Sequence, residues 1–273
     1  DVSKMDKVTI EKSGLAHIGP GNIFKNLTTK LADKDVMIAH GTCATVGISG
    51  FIMGGGWGPW TRKHGMCCEW LMGADMVLGD GSTVSVDASD NEVPELLWAL
   101  RGGGGMSYGL VTEFRVQTFA LPKTLIRFDL NWNLYADALS DYPIQSHPTI
   151  EVLKAWEQVI ESDKTASLIG TNLKVNGIPA GTAKFDVNKV YHNCTMYGYW
   201  EGEKKDLEAF INKWFADVPP DEINYNEKEG GTGSDHPYGE TLMSNWARES
   251  YQPMLAARFR QGENVNLRSG FKQ

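Results

Sequence analysis

Positive charge, cysteine and long apolar runs are all scarce in this chain of 273 residues. Its 26 Lys and Arg are outnumbered by 34 Asp and Glu, for a formal net charge of -8. That balance argues against nucleic acid or an anionic membrane surface as the main partner. No apolar run approaches the ~20 residues of a membrane span. The four cysteines stand at 43, 67, 68 and 194. Their spacing supports neither a disulfide scaffold nor a paired-cysteine metal site. Cys67 and Cys68, with His64 nearby, lack the second pair that would complete a tetrahedral site. One buried and one partly exposed thiol are expected instead. No signal-peptide pattern follows Asp1, so the chain reads as processed or as part of a longer one. Two sequons, Asn26-Leu27-Thr28 and Asn193-Cys194-Thr195, lean towards a glycoprotein of the secretory pathway or extracellular space.

Glycine is what the chain has in concentrated form. Its 30 glycines gather between Gly41 and Gly58 and again at Gly102–Gly105. Strands are predicted over 8–13, 36–40 and 110–119, and helices over 21–31 and 94–100. A hairpin is predicted over 73–86 around Gly79-Asp80-Gly81, since Asp-Gly suits a tight turn. Residues 41–58 are too glycine-rich for a stable helix or a regular strand. From Leu121-Pro122 glycine thins out. Helices over 149–161 and 204–216, a strand pair over 168–175 and 190–198, an exposed loop over 227–237 and a late strand over 267–271 are expected there. The reading is an α+β chain with a boundary near 121–123, giving units 1–121 and 122–273.

A loop with so many unencumbered N–H groups can cradle phosphate or pyrophosphate. Cys43 sits inside it. On residue chemistry alone it is either a small buried hydrophobe or a thiol that bonds an electron-poor ring. The run Gly41-Thr42-Cys43-Ala44-Thr45-Val46-Gly47-Ile48-Ser49-Gly50, followed by Gly54-Gly55-Gly56-Trp57-Gly58, resembles the berberine-bridge-enzyme-like group of the vanillyl-alcohol-oxidase flavoproteins. Arg62-Lys63-His64-Gly65, Ala74 to Asp80, Leu96 to Gly105 and Tyr108 to Phe114 resemble that family's following segments in order. The likeness covers residues 8–119. The remainder resembles the family mainly in element order.

The resemblance implies part of a PCMH-type FAD-binding domain over 1–121 and part of an antiparallel-sheet substrate domain over 122–273. It implies FAD, with Cys43 matching the cysteine that bonds ring carbon C6. It further implies hydride transfer from an alcohol or hemiacetal carbon, in a carbohydrate or secondary metabolite, to flavin N5. Oxygen would then reoxidise the flavin and yield hydrogen peroxide. Val46 matches the position governing oxygen access, where valine goes with oxidases and leucine with dehydrogenases. The implied cofactor contacts are Gly41, Thr42, Cys43, Ala44, Thr45, Val46, Gly47, Gly50, Phe51, Gly54, Gly55, Gly56, Trp57 and Gly58, then His64, Gly65, Tyr108, Gly109, Leu110 and Val111. A dehydrogenase of the same family and a non-catalytic, allergen-like flavin binder are the alternatives.

Three features depart from the family pattern. Its N-terminal segment with a flavin-linking histidine has no counterpart, and none of His17, His40 and His64 is assigned to it. Its catalytic base would lie beyond Gln273, so the remaining parts belong to separate chains or to a longer one. Phe51 stands where the family often has histidine.

Two other signals were weighed on the residues. Gly105-Met106-Ser107-Tyr108-Gly109 spells a hydrolase nucleophile motif, but a helix precedes and a strand follows, the reverse of what that elbow needs. Tyr191, Tyr197 and Tyr199 share a strand face by parity. They read either as a groove that stacks a sugar or a flat substrate, or as ordinary core.

Overall fold

The computed structural model describes residues 1–89, 94–105, 107–132, 148–175 and 194–229. In the first part, β1 (Val8–Ile10), β2 (Leu15–Ile18), β4 (Leu71–Val77), β5 (Thr83–Asp87) and β6 (Leu110–Gln117) form one antiparallel sheet in the order β1-β2-β6-β4-β5. The sheet alternates as a half-buried sheet must. Ala16, Ile18, Ala74, Met76, Phe114 and Val116 point inward and are buried. They share one core with α1 (Phe24–Ala32), which contributes Phe24, Leu27 and Leu31. The other face is polar. There Arg115 donates to Asp87 Oδ1 at 2.5 Å and to Asp75 Oδ1 at 2.8 Å. Hydrogen bonds from Ser85 and then Arg115 hold the Asp75 carboxyl below its usual range.

A short pair, β3 (Val36–Met37) with β7 (Phe119–Ala120), closes the first part. The chain then enters a second antiparallel sheet, ordered β11-β8-β10-β9. Its strands are β8 (Thr124–Trp132), β9 (Leu168–Val175), β10 (Cys194–Glu201) and β11 (Glu222–Glu229). One face carries Ile126, Phe128, Leu130, Trp132 and Met196 against α5 (Pro148–Glu161) and α6 (Lys204–Trp214). On the other face Leu125 and Tyr199 join the core of the first part, with Tyr197 packed against it.

The structure corrects several expectations. Within 41–58, Ile48–Met53 forms α2, because Ile48, Ile52 and Met53 bury one stripe while Gly50 stays outside. Tertiary burial there outweighs the cost of one helical glycine, about 1 kcal/mol. The strands expected over 8–13 and 36–40 shorten to Val8–Ile10 and Val36–Met37. Residues 227–229 belong to β11 rather than to an exposed loop. Both adjacent thiols are shielded, Cys67 at 0% and Cys68 at 9% exposure, since the 3-10 turn Cys67–Trp70 tucks them under the glycine loop. The hairpin over 73–86 is present as β4 and β5, and α4 (Glu95–Leu100) precedes Ser107 with β6 after it. The expected strand over 267–271, Tyr191 and Asn193 lie outside the described residues.

Candidate functional site

The glycine-rich loop is fastened at its base by a buried histidine. His40 is fully buried. Its Nδ1 lies 2.7 Å from the Gly41 carbonyl, and its Nε2 lies 3.1 Å from the Trp60 indole nitrogen. A carbonyl only accepts and an indole N–H only donates, so His40 is neutral with its proton on Nδ1. Burial depresses its pKa to about 4. Gly58 closes the loop against the same residue: a Cβ at Gly58 would lie 2.0 Å from the His40 carbonyl oxygen. Trp60 and His64 pack on Phe119, with the His64 and Phe119 rings stacked at 3.7 Å. The His64 ring, expected at a cofactor, is engaged in that stack.

Between those anchors the loop wraps the start of α1. An α-helix begins with N–H groups that have no partner inside it. Here Phe24 N donates to the Val46 carbonyl at 3.0 Å and Lys25 N to the Ala44 carbonyl at 2.9 Å. Val46 N closes a turn onto the Cys43 carbonyl at 3.2 Å. Ala44 is thereby buried, while Thr45 and Val46 are exposed and Cys43 is half-buried. The turn therefore holds a half-buried thiol and an exposed valine three residues apart on a backbone fixed by α1.

The glycines divide into two kinds. Gly41, Gly56 and Gly58 make room for protein: a Cβ at Gly56 would lie 2.6 Å from Cys67 Cβ and 2.7 Å from the Phe51 ring. Phe51 fills this space edge-on to Phe24, with ring centroids 4.7 Å apart. Gly50 and Gly105, by contrast, have nothing within 4 Å of a built Cβ. The two glycine clusters meet in space, since Gly104 N donates to the Met53 carbonyl at 3.2 Å and a Cβ at Gly102 would lie 3.7 Å from Gly55 Cα. Together they form an open shelf of bare backbone. Tyr108 and Leu110 stand exposed near its end, while Val111 turns into the core.

A cleft of about 420 Å³ opens against the glycine-rich loop. Thr42, Trp57 and Gly58 line it from the loop, and Asn172, Tyr197 and Tyr199 from the second sheet. Trp57 is 63% exposed, a large apolar surface held out from the loop. Tyr197 and Tyr199 share a face, as parity requires, and Tyr199 is buried beneath the cleft floor. Burial pushes its hydroxyl up to about 12, so it stays protonated at neutral pH. Among the described residues lining the cleft there is no carboxylate and no histidine. No group of three or more metal-ligating side chains occurs among the described residues. No described helix is long and apolar enough to cross a membrane.

Sequence reasoning missed how the cleft is held together. Arg62, on α3 (Thr61–His64), hydrogen-bonds to the far end of α5, about a hundred residues away. Gly170 on β9 lets the sheet approach the loop, since its Cβ would lie 2.2 Å from the Pro59 carbonyl oxygen. Neither carries a local sequence signal.

Residues 1–87 match the FAD binding domain family. Over 136 residues the chain is 36% identical to glucooligosaccharide oxidase of Sarocladium strictum, covering 49% of this chain and 27% of that protein. Over 221 residues it is 29% identical to berberine bridge enzyme-like 24 of Arabidopsis thaliana, covering 80% of this chain and 37% of that protein. The fold superposes on glucooligosaccharide oxidase from Acremonium strictum with a TM-score of 0.63 at 24% identity, over 82% of this chain and 42% of that one. That enzyme carries a 6-S-cysteinyl, 8α-N1-histidyl FAD. The chain thus spans less than half the length of these relatives. The open shelf fits FAD, since added Cβ atoms would occupy the space a flat, backbone-bound group needs.

Proposed function

We infer, from the FAD binding domain match and the similarity to oligosaccharide oxidases and berberine bridge enzyme-like proteins, that the chain is part of an oxidase acting on an alcohol or hemiacetal carbon of a carbohydrate. FAD, when bound, supplies a hydride acceptor at N5 and hands its electrons to oxygen, yielding hydrogen peroxide. The observation that carries this reading is the cleft between the Cys43 turn and the aromatic sheet face. A sugar ring presents apolar faces and a rim of hydroxyls. Trp57 and Tyr197 offer rings to stack on, and Thr42, Asn172 and Tyr199 offer hydrogen bonds at the rim. The proton acceptor for the reacting hydroxyl is expected outside the described cleft residues, because Tyr199 holds its proton too tightly. The proposed division at 121–122 coincides with the change from one sheet to the other.

Cys43 is proposed to bond the flavin, being the half-buried thiol within the glycine-rich loop. Cys67, Cys68 and Cys194 are buried. The expected result is a flavin adduct on the Cys43 peptide in a mass spectrum of the full-length protein. In Cys43→Ala that adduct should vanish, and flavin should be released on acid precipitation or be left with a single bond. An unmodified Cys43 peptide in the wild type rules this out.

Val46, 36% exposed and three residues after that thiol, is proposed to leave oxygen its path. Interiors are packed without spare voids, so one extra methylene in a tight space can close a route. Val46→Leu is expected to slow reoxidation of reduced flavin by oxygen, measured by stopped-flow absorbance, and to spare reduction by substrate. Equal reoxidation rates would overturn the role of Val46, and a wild type that reoxidises only sluggishly would return the assignment to a dehydrogenase.

A further inference from the structure

We propose that Arg62 is a positioning residue that sets the width of the cleft, and so governs how tightly a substrate is held rather than how FAD is bound. The proposal rests on the reading that this cleft receives the substrate. The two terminal nitrogens of Arg62 reach four oxygens. Nη1 donates to the Ile160 carbonyl at 2.7 Å. Nη2 donates to the carbonyls of Val159 at 3.2 Å and Ser162 at 3.0 Å, and to Thr165 Oγ1 at 2.5 Å. The last carbonyls of a helix have no N–H partner of their own and lie at its negative end. Arg62 therefore caps α5, but from the other side of the cleft. A planar guanidinium fits this task because its donors diverge in fixed directions, whereas a lysine ammonium is a single point.

The cap has a geometric consequence. Arg62 itself lines the cleft, on the same loop wall as Gly58, Pro59 and Thr61, and Ile160 of the capped helix end lines it too. The capped segment leads directly into β9, which carries Gly170 and Asn172 on the opposite wall. The walls touch where Gly170 meets the Pro59 carbonyl, and Lys63 pairs with Glu201 at the end of β10. Glycine at 170 permits that contact but supplies no attraction. Among the described residues, the Arg62 cap and the Lys63 pair are polar attractions between the walls. The pair is partly exposed on both sides and contributes little. The cap sets one cation against four oxygens, so it offers more hydrogen bonds than the single pair.

The test uses the full-length protein loaded with FAD. In Arg62→Ala, flavin content and the visible spectrum should match the wild type, KM for an oligosaccharide should rise about tenfold, and kcat should change by less than about threefold. Arg62→Lys should recover only part of the loss, and added methylguanidinium should lower KM in Arg62→Ala but not in the wild type. Lys154→Ala, on the exposed side of α5, is the control. A purely structural role would lower thermal stability without this division between KM and kcat, and would overturn the proposal. Amide hydrogen exchange over 168–172 provides a readout free of turnover. Faster exchange in Arg62→Ala supports the cap, and unchanged exchange overturns it. If the wild type oxidises no saccharide yet this exchange responds, the carbohydrate reading fails and the cap stands.

Discussion

Gly58→Ala is expected to cost about 4 kcal/mol of stability, near the upper end for a single substitution. The added Cβ would stand 2.0 Å from the His40 carbonyl oxygen, 2.9 Å from its carbon and 3.0 Å from Gly41 Cα. All three are backbone atoms, so no rotamer change relieves the clash, and the loop must open at its base. Gly50→Ala is the informative contrast. Its Cβ meets nothing within 4 Å, and residue 50 lies inside α2. Helix propensity alone predicts a flavin-free protein up to ~1 kcal/mol more stable. If the open shelf is the seat of FAD, the same methyl lowers flavin occupancy. Urea melts of the flavin-free proteins and the ratio of flavin to protein absorbance separate the two effects. A Gly58→Ala protein that melts like the wild type would show that the loop is not closed on His40.

The second large effect is acid sensitivity centred on His40. In the unfolded chain its pKa returns to about 6.5, whereas burial lowers it to about 4 in the fold. The folded value is the lower one, so the unfolded chain binds the proton first. The full stability is present above about pH 6.5 and is lost as pH falls towards 4, with a total near 3 kcal/mol for this group. Burial and then Lys63 lower His64 in the same direction. The protonated ring could no longer accept from the Trp60 indole N–H, so the loop base would lose its inner hydrogen bond. His40→Gln should be less stable at neutral pH but flatter between pH 6.5 and 4 in a series of urea melts. An unchanged slope would place the acid response elsewhere.

Much of this was legible in the residues, for reasons that differ from place to place. The hairpin of β4 and β5 rests on a local device, Asp80-Gly81, and alternation carries the strand pair of β9 and β10. Those signals act within a few residues, so they survive any context. The helix α2 was hidden because glycine composition speaks against helix, while the burial of Ile48, Ile52 and Met53 is a tertiary event. The glycine cluster pointed to a cofactor loop but could not tell Gly58, which accommodates His40, from Gly50, which faces open space. Both are the same letter, and only the neighbours differ. Arg62 and His40 gave no signal because Arg62 reaches α5, about a hundred residues on, and His40 meets Trp60 across the loop, positions that no local pattern ties to them.

The strand order of the first sheet also dictates how the chain can reach its final form. β6 is flanked by β2 on one side and β4 on the other, so residues 15–18 find their partners at 114–117, about a hundred positions downstream. Such a closure carries a large entropic cost before any pairing is gained, and it makes assembly slow relative to local helices. The segment matching the FAD binding domain family ends at residue 87, before that strand has been made. On a ribosome, then, the glycine-rich loop emerges before its sheet is complete and waits until residue 117 has followed. A polypeptide cut after residue 87 would leave β2 and β4 as two unpaired edges, open to association with other chains.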